Sequence, residues 1–337
     1  MHKIKHLYTK PLLLLLLAST LFLINCVGLL SVSTDAQVDT RITLRERLEK
    51  HVFTLASDSL QGREAGTIYA RKAADYIARY WEEFGLDFFV RNTFLQPFGF
   101  DEFWGAVDEF QNVVGVIRGN DPVLRNEYIV VGAHFDHLGV CGWTGAIYNG
   151  ADDNASGTAV LIELARMLRE NQSNFKRSII LIGFDAEEIG LFGSIYFAKT
   201  FNTIAPNGRI ALMFSLDMVG WYEANGAIEY VGTGTIRNGC ALILNEQLIP
   251  DGLNVIAREF ETSIFYATDT KPFAIRGIPT LHVFTGMESP IHTPEDEAHL
   301  IDLDGMVLIT EHLRNLIEFI AQDTEFASSG QIAPIHR

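Results

Sequence analysis

The sequence predicts an α/β fold, a three-layer sandwich built on a mixed, mostly parallel central sheet. Helical and strand-like apolar patterns alternate from Leu44 to Ile320. Segments such as Tyr128–Ala133 and Ser178–Phe184 are continuously apolar, as strands covered on both faces are. Neither an internal repeat nor an interdomain linker interrupts the run, and 337 residues with 48% hydrophobic content supply enough core for one large domain.

Taken in order, Leu44 to Leu86 reads as helix. Leu48, Val52 and Leu55 share one face, and Ala70, Ala74 and Ile77 share another. Between them the glycine-punctuated Leu60-Gln-Gly-Arg-Glu-Ala-Gly66-Thr reads as a loop. Residues 87 to 110 hold Phe88, Phe89, Phe94, Phe98, Phe100, Phe103 and Trp104, either as core packing or as an apolar wall beside a site. Strands are expected at Asn112–Ile117, Tyr128–Ala133, Ser178–Phe184, Ile210–Ser215, Ile228–Val231 and Ile278–Phe284. Helices are expected at Thr158–Leu168, Gly190–Ala198, Gly239–Leu248, Gly252–Phe260 and Leu303–Ile320. The last of these repeats apolar residues at Ile309, Leu313, Leu316 and Ile320.

The first residues read as an export signal, with Lys3, Lys5 and Lys10 ahead of an apolar stretch that runs to Cys26. Leu23-Ile24-Asn25-Cys26 resembles a bacterial lipoprotein processing box, though Asn25 stands where a small residue is usual. Thr34-Asp35-Ala36 offers a soluble-secretion cleavage site instead, and the apolar run is nearly long enough for an uncleaved anchor. The expected organisation is a signal or anchor at 1–26, a tether at 27–42, one domain at 43–323 and a polar tail at 324–337. The protein is accordingly expected to be exported: periplasmic, outer-membrane-associated or secreted, with membrane attachment by an N-terminal lipid or anchor left open. Removing the first 25 residues, which carry three lysines and no acid, takes the formal charge from −16 to −19. That balance argues against a nucleic-acid partner, which needs concentrated positive charge. Beyond Cys26 only Cys141 and Cys240 remain, so one disulfide is open and no paired-cysteine zinc motif exists.

The chemistry-bearing segments are His134-Phe-Asp136-His137, Gly150-Ala-Asp152-Asp153-Asn, Glu187-Glu188, Asp217 and His292. Most fall at or just beyond the C-terminal ends of expected strands, the edge where open α/β sheets bind ligands. On a strand ending in His-x-Asp the two side chains share a side. His134 is then a ligand, Asp136 the acceptor that orients its ring, and His137 points elsewhere. Asp152 and Asp153 suit either helix capping or the bridging of two metals. Of the adjacent glutamates one can bind metal while the other takes a proton from water. Pro290 and Pro294 stiffen the loop around His292. Two histidines and three acids give three ligands per metal if one carboxylate is shared.

In these segments the chain resembles the M28 family of co-catalytic zinc peptidases. The motifs are Leu60-Gln-Gly-Arg-Glu-Ala-Gly-Thr, His134-Phe-Asp-His-Leu-Gly, Gly150-Ala-Asp-Asp-Asn-Ala-Ser-Gly, Asp185-Ala-Glu-Glu-Ile-Gly-Leu-Phe-Gly-Ser, Asp217-Met-Val-Gly and His292-Thr-Pro-Glu-Asp. The resemblance implies the zinc-exopeptidase fold and an aminopeptidase holding two Zn²⁺. Asp152 would bridge them, His134 and Asp217 complete one site, and Glu188 and His292 complete the other. Glu187 would be the general base and Asp136 would orient His134. A cis peptide is implied after the bridging acid, at Asp152-Asp153. The chain departs from many relatives at Thr268-Asp-Thr-Lys-Pro-Phe273, where they carry Ser-Asp-His before a Pro-Phe pair. Tyr148, Phe265, Tyr266, Met287 and Ile291 are candidates for lining the substrate pocket. The alternatives are a glutaminyl-cyclase-like transferase working with one zinc, and a noncatalytic envelope protein that binds peptides in the same cleft.

Overall fold

The central strands bury both faces, and each face takes alternate residues of the same strand. In the computed structural model, which describes residues 43–99, 109–259 and 268–326, Ile129, Val131 and Ala133 pack on one side of the sheet. Tyr128 and Val130 pack on the other. Ile179 and Leu181 likewise part from Ile180, Ile182 and Phe184. This is the period of two that a pleated strand imposes, with apolar partners on both faces.

The chain opens with α1 (Leu44–Leu55) and α2 (Ile68–Glu83), and the Thr67 side chain caps α2 by accepting from the amides of Tyr69 and Ala70. Short strands β1 (Asp87–Phe88) and β2 (Leu95–Phe98) lead to β3 (Phe110–Ile117) and β4 (Glu127–His134). A small hairpin, β5 (Gly139–Val140) and β6 (Ile147–Tyr148), precedes α3 (Gly157–Glu170). Next come β7 (Ser178–Phe184), α4 (Phe192–Ile204), β8 (Arg209–Leu216), α5 (Tyr222–Asn225) and β9 (Ile228–Val231). The chain continues through α6 (Gly239–Ile243), β10 (Val255–Arg258), α7 (Lys271–Ala274), β11 (Thr280–Phe284) and α8 (Leu303–Gln322).

The main sheet runs β1-β3-β7-β4-β8-β11-β9-β10, with β2 also paired to β3. Its centre, β7-β4-β8-β11, is parallel, and antiparallel pairings flank it. Helices α1, α2, α3 and α8 carry the larger core on one face, while Phe197 and Phe201 of α4 and Phe273 of α7 fill the other. The expected sandwich is therefore present, and its parallel centre aligns four strand ends on one edge.

Two expectations give way. Gly252–Phe260 contains a strand rather than a helix: half-buried Val255 and Ala257 alternate with exposed Ile256 and Arg258 in parallel register with β9. The guanidinium of Arg258 pairs with Glu229 across that edge. Helix α6 stops at Ile243 rather than Leu248, where the Asn245 carboxamide accepts from the Gln247 amide in a turn that competes with helix. Cys141 and Cys240 are both free thiols. Among the described residues no helix is long and apolar enough to cross a membrane, and the N-terminal apolar stretch lies outside them.

Helix α8 also buries His312, whose Nδ1 lies 3.0 Å from the Tyr230 hydroxyl. Burial lowers its pKa from 6.5 to about 4. The unfolded chain then binds the extra proton between these values, so stability is intact above pH 6.5 and falls as the pH drops towards 4. Replacing His312 with Phe is expected to remove about 2 kcal/mol of the difference in unfolding free energy between pH 7 and pH 5. Urea titrations of both proteins at the two pH values measure it.

Candidate metal centre

Four parallel strand ends and one crossover deliver the site. His134 ends β4, the Asp185–Leu191 loop leaves β7, Asp217 follows β8, and the loop after β11 carries His292. The crossover from β4 to α3 passes through an irregular turn, Ala151–Ser156, that carries Asp152 and Asp153.

Asp153 stands at the centre. Its Oδ1 lies 3.3 Å from His134 Nε2, and its Oδ2 lies 3.0 Å from His292 Nε2. His134 Nε2 is also 3.4 Å from Asp217 Oδ1, and His292 Nε2 is 3.3 Å from Glu188 Oε2. The donors thus form two triads, His134-Asp153-Asp217 and His292-Asp153-Glu188, each using a different oxygen of Asp153. Two ligands on one tetrahedral ion with bonds of about 2.0 Å sit ~3.3 Å apart, so all four separations have the spacing of a tetrahedral edge. Donor atoms of His134, Asp153 and Glu188 lie within 4.8 Å of one another.

Asp153, and not the expected Asp152, faces both histidines. Asp152 turns away: its Oδ1 accepts from the Gly220 amide at 2.8 Å and from the Ser156 hydroxyl at 3.3 Å. The reason is the amide pattern of the turn. Asp296 accepts the backbone N–H of Asp152 at 2.8 Å and of Asp153 at 3.0 Å, and with both amides drawn to one side the side chains diverge. The cis peptide likewise lies at Asp153-Asn154, not at Asp152-Asp153.

Asp136 also acts differently. Its carboxylate accepts the amides of Glu187 at 3.1 Å and Glu188 at 3.3 Å, while His134 Nδ1 lies 3.3 Å from the Asp136 backbone oxygen and 3.8 Å from its carboxylate. The main chain orients the imidazole, and the side chain fixes the glutamate loop. Asn154 and Ser156 fix the Asp217 loop in the same manner, accepting from the amides of Met218 and Val219. Beneath them Arg63 is fully buried and donates to the carbonyls of Leu55, Phe135, Asn149 and Gly150. The segment 149–153 is therefore gripped by its carbonyls from Arg63 and by its amides from Asp296.

His137 does not point elsewhere. Its Nδ1 is 2.6 Å from Glu188 Oε1, and its ring lies 5.8 Å from that of His292. Asp269, which no sequence motif marks as a site residue, is buried near enough to Glu187 to act on its charge. Of the pocket candidates, Tyr148 is half-buried in the hairpin before Gly150, Ile291 is half-buried beside His292, and Met287 is exposed. Phe265 and Tyr266 lie outside the described residues.

The electrostatics suit a cation. Burial acts first on every carboxyl here, raising Asp152 to about 7, Asp269 to about 6 and Glu187 well above the usual range. Asp269 and Asp217 add to the rise at Glu187, against the pull of His134. Asp153 moves the other way: hydrogen bonds from His134 and His292 overcome its burial and hold it well below. In return Asp153 and Glu188 raise His292 to about 10. His134 rises well above the ordinary imidazole range although burial opposes it, because Glu187, Asp153 and Asp217 surround it. Imidazoles that draw protons so strongly report a surplus of negative charge, and divalent cations neutralise such a surplus.

The model of Peptidase family M28 matches residues 112–317, more than half of the chain. Aminopeptidase YwaD of Bacillus subtilis is 32% identical over 202 residues, which cover 58% of this chain and 41% of that protein. The chain thus spans less than half the length of that relative. A zinc aminopeptidase from Bacillus subtilis superposes with a TM-score of 0.64 at 18% identity, covering 84% of this chain and 96% of that one. Porphyromonas gingivalis glutaminyl cyclase gives a TM-score of 0.62 at 19% identity, over 81% and 97%. At these identities the two structures show a shared fold.

Asp153→Asn is expected to lower zinc affinity by at least ~100-fold. Asp152→Asn, whose carboxamide oxygen still accepts from Gly220, is expected to stay within about tenfold of the unmodified protein. Chelator-competition titrations of the two variants test the assignment.

Proposed function

The chain belongs to peptidase family M28, and we propose that it is a zinc-dependent aminopeptidase that releases N-terminal residues from peptides. The observation that carries the reading is the pair of donor triads sharing Asp153, whose four histidine-to-carboxylate separations run from 3.0 to 3.4 Å. His134, Asp153 and Asp217 would hold one Zn²⁺, and Asp153, Glu188 and His292 the other. Bound there, a zinc pair supplies Lewis-acid polarisation of the scissile carbonyl and eases deprotonation of water.

The remaining chemistry belongs to side chains. Glu187 is the general base: burial and neighbouring carboxylates raise its proton affinity well above that of an ordinary glutamate, which suits it to take a proton from attacking water. It then returns that proton to the nitrogen of the departing amine as the C–N bond breaks. Asp136 accepts the amides of both Glu187 and Glu188, so one carboxylate anchors the base and a metal-holding residue together. The acid-rich pocket, with Asp217 and Asp269 beside Glu187, attracts the ammonium of a free peptide N-terminus. Tyr148, Met287 and Ile291 are proposed to line the side-chain pocket.

The same fold serves a glutaminyl cyclase, and a one-zinc transferase is the second reading. Two histidines, each paired with Asp153 and with a second carboxylate, favour the peptidase. A noncatalytic peptide-binding protein would need neither Glu187 nor its raised proton affinity. Export is proposed from the lysines and apolar run before Cys26. Mass spectrometry of the mature N-terminus distinguishes lipidation at Cys26, cleavage after Ala36 and an uncleaved anchor.

Zinc-loaded protein is expected to bind two ions per chain and to cleave peptides with free but not acetylated N-termini. One ion together with cyclisation of N-terminal Gln would replace this reading with the cyclase. Glu187→Gln is expected to lower kcat by roughly 10²- to 10⁴-fold while leaving zinc content unchanged. Unchanged turnover would remove Glu187 from the mechanism.

A further inference from the structure

Among the described residues, one imidazole sits inside the cluster without a part in either triad. His137 is 1% exposed, and its Nδ1 lies 2.6 Å from Glu188 Oε1 and 3.7 Å from Asp153 Oδ2. The four separations within the triads run from 3.0 to 3.4 Å, the spacing of atoms that share an ion. A contact of 2.6 Å is too short for that and has the length of a charge-assisted hydrogen bond.

The ring is held so that it makes this contact. The His137 amide donates to the Arg63 carbonyl at 3.3 Å, tying its backbone to the segment that carries the buried guanidinium. Its ring lies against Gly150 so closely that a Cβ there would stand 2.4 Å from it. Nε2 is buried without a hydrogen-bond partner, whereas Nδ1 faces the carboxylate. The proton therefore belongs on Nδ1, which donates to Oε1 and leaves Oε2 turned towards His292 Nε2 at 3.3 Å.

We propose that His137 is a positioning residue of the metal centre: it captures one oxygen of Glu188 so that only the other is presented to the ion shared with His292 and Asp153. This rests on the two-zinc reading above. A glutamate with three rotatable side-chain bonds otherwise has the choice of either oxygen or both. Fixing one oxygen removes that freedom before the ion arrives, as hydrogen-bonded partners of metal ligands generally do.

The test is a two-site zinc titration by chelator competition, with the melting temperature of the zinc-free protein as a control for folding. In His137→Leu the ion of the Glu188–His292 site should weaken by about 10- to 100-fold and the other by less than about threefold. His137→Asn, whose amide nitrogen occupies the position of Nδ1, should recover affinity to within about threefold. His292→Ala identifies the affected site: in that background, adding His137→Leu should change the remaining ion by less than about threefold. Should the leucine variant fail to fold, His137→Gln replaces it, since its amide lies about one bond too far out to copy Nδ1. A variant lacking the Nδ1 donor that binds both ions as tightly as the unmodified protein would overturn the proposal. So would equal weakening of both sites, or no recovery in His137→Asn when the zinc-free proteins melt alike. Unmodified protein that binds fewer than two ions would instead defeat the two-zinc reading itself, before any variant is made.

Discussion

An ionised carboxylate taken out of water must be met by a cation or by hydrogen-bond donors, and one sheet edge of this protein gathers Asp136, Asp152, Asp153, Asp269 and Asp296, all nearly inaccessible to solvent. Apart from the imidazoles, Arg63 is the buried guanidinium beside them, and it donates hydrogen bonds to four carbonyls. Backbone amides therefore meet much of the charge. Asp136 takes those of Glu187 and Glu188, Asp296 those of Asp152 and Asp153, and Asp152 that of Gly220.

These clamps link the loops in a definite order. The segment after His134 holds the glutamate loop, the turn bearing Asp153 holds the loop after Asp217, and the loop bearing His292 holds the turn bearing Asp153. Carboxylates that bind no metal in the proposed scheme thus position those that do. The arrangement satisfies buried donors and acceptors together, so each loop geometry supports the next and the donor triads are preorganised.

Topology makes the clamps reachable. Because β7, β4, β8 and β11 run parallel as neighbours, the residues that follow them emerge on a single edge. Apolar cover on both faces of those strands keeps that edge rigid. The surplus of acid follows from this rigidity: the loops cannot relax apart, His134 and His292 are driven towards their charged forms, and divalent ions are the natural complement. Family membership agrees with that chemistry, while the share of charge left to Glu187 gives the proposed reaction its base.

Much of this was legible in the sequence, because helix and strand periods are local and the sandwich follows from their alternation. The long apolar strands, the final helix expected at Leu303–Ile320 and found at Leu303–Gln322, and the placement of His134, Glu188, Asp217 and His292 at strand ends or in the following loops could be read directly. The strand at Val255–Arg258 could not, since a short edge segment carries too few residues to separate a period of two from one of 3.6. The motif resemblance placed the shared carboxylate at Asp152, one residue from where the structure puts it in the pair Asp152-Asp153. Which of the two faces the histidines, that Asp136 grips amides, and that His137 turns inward were decided by the tertiary structure alone. The physical reason is that adjacent side chains in an irregular turn diverge according to where their amides are bound, and the binding group, Asp296, lies more than 140 residues away along the chain.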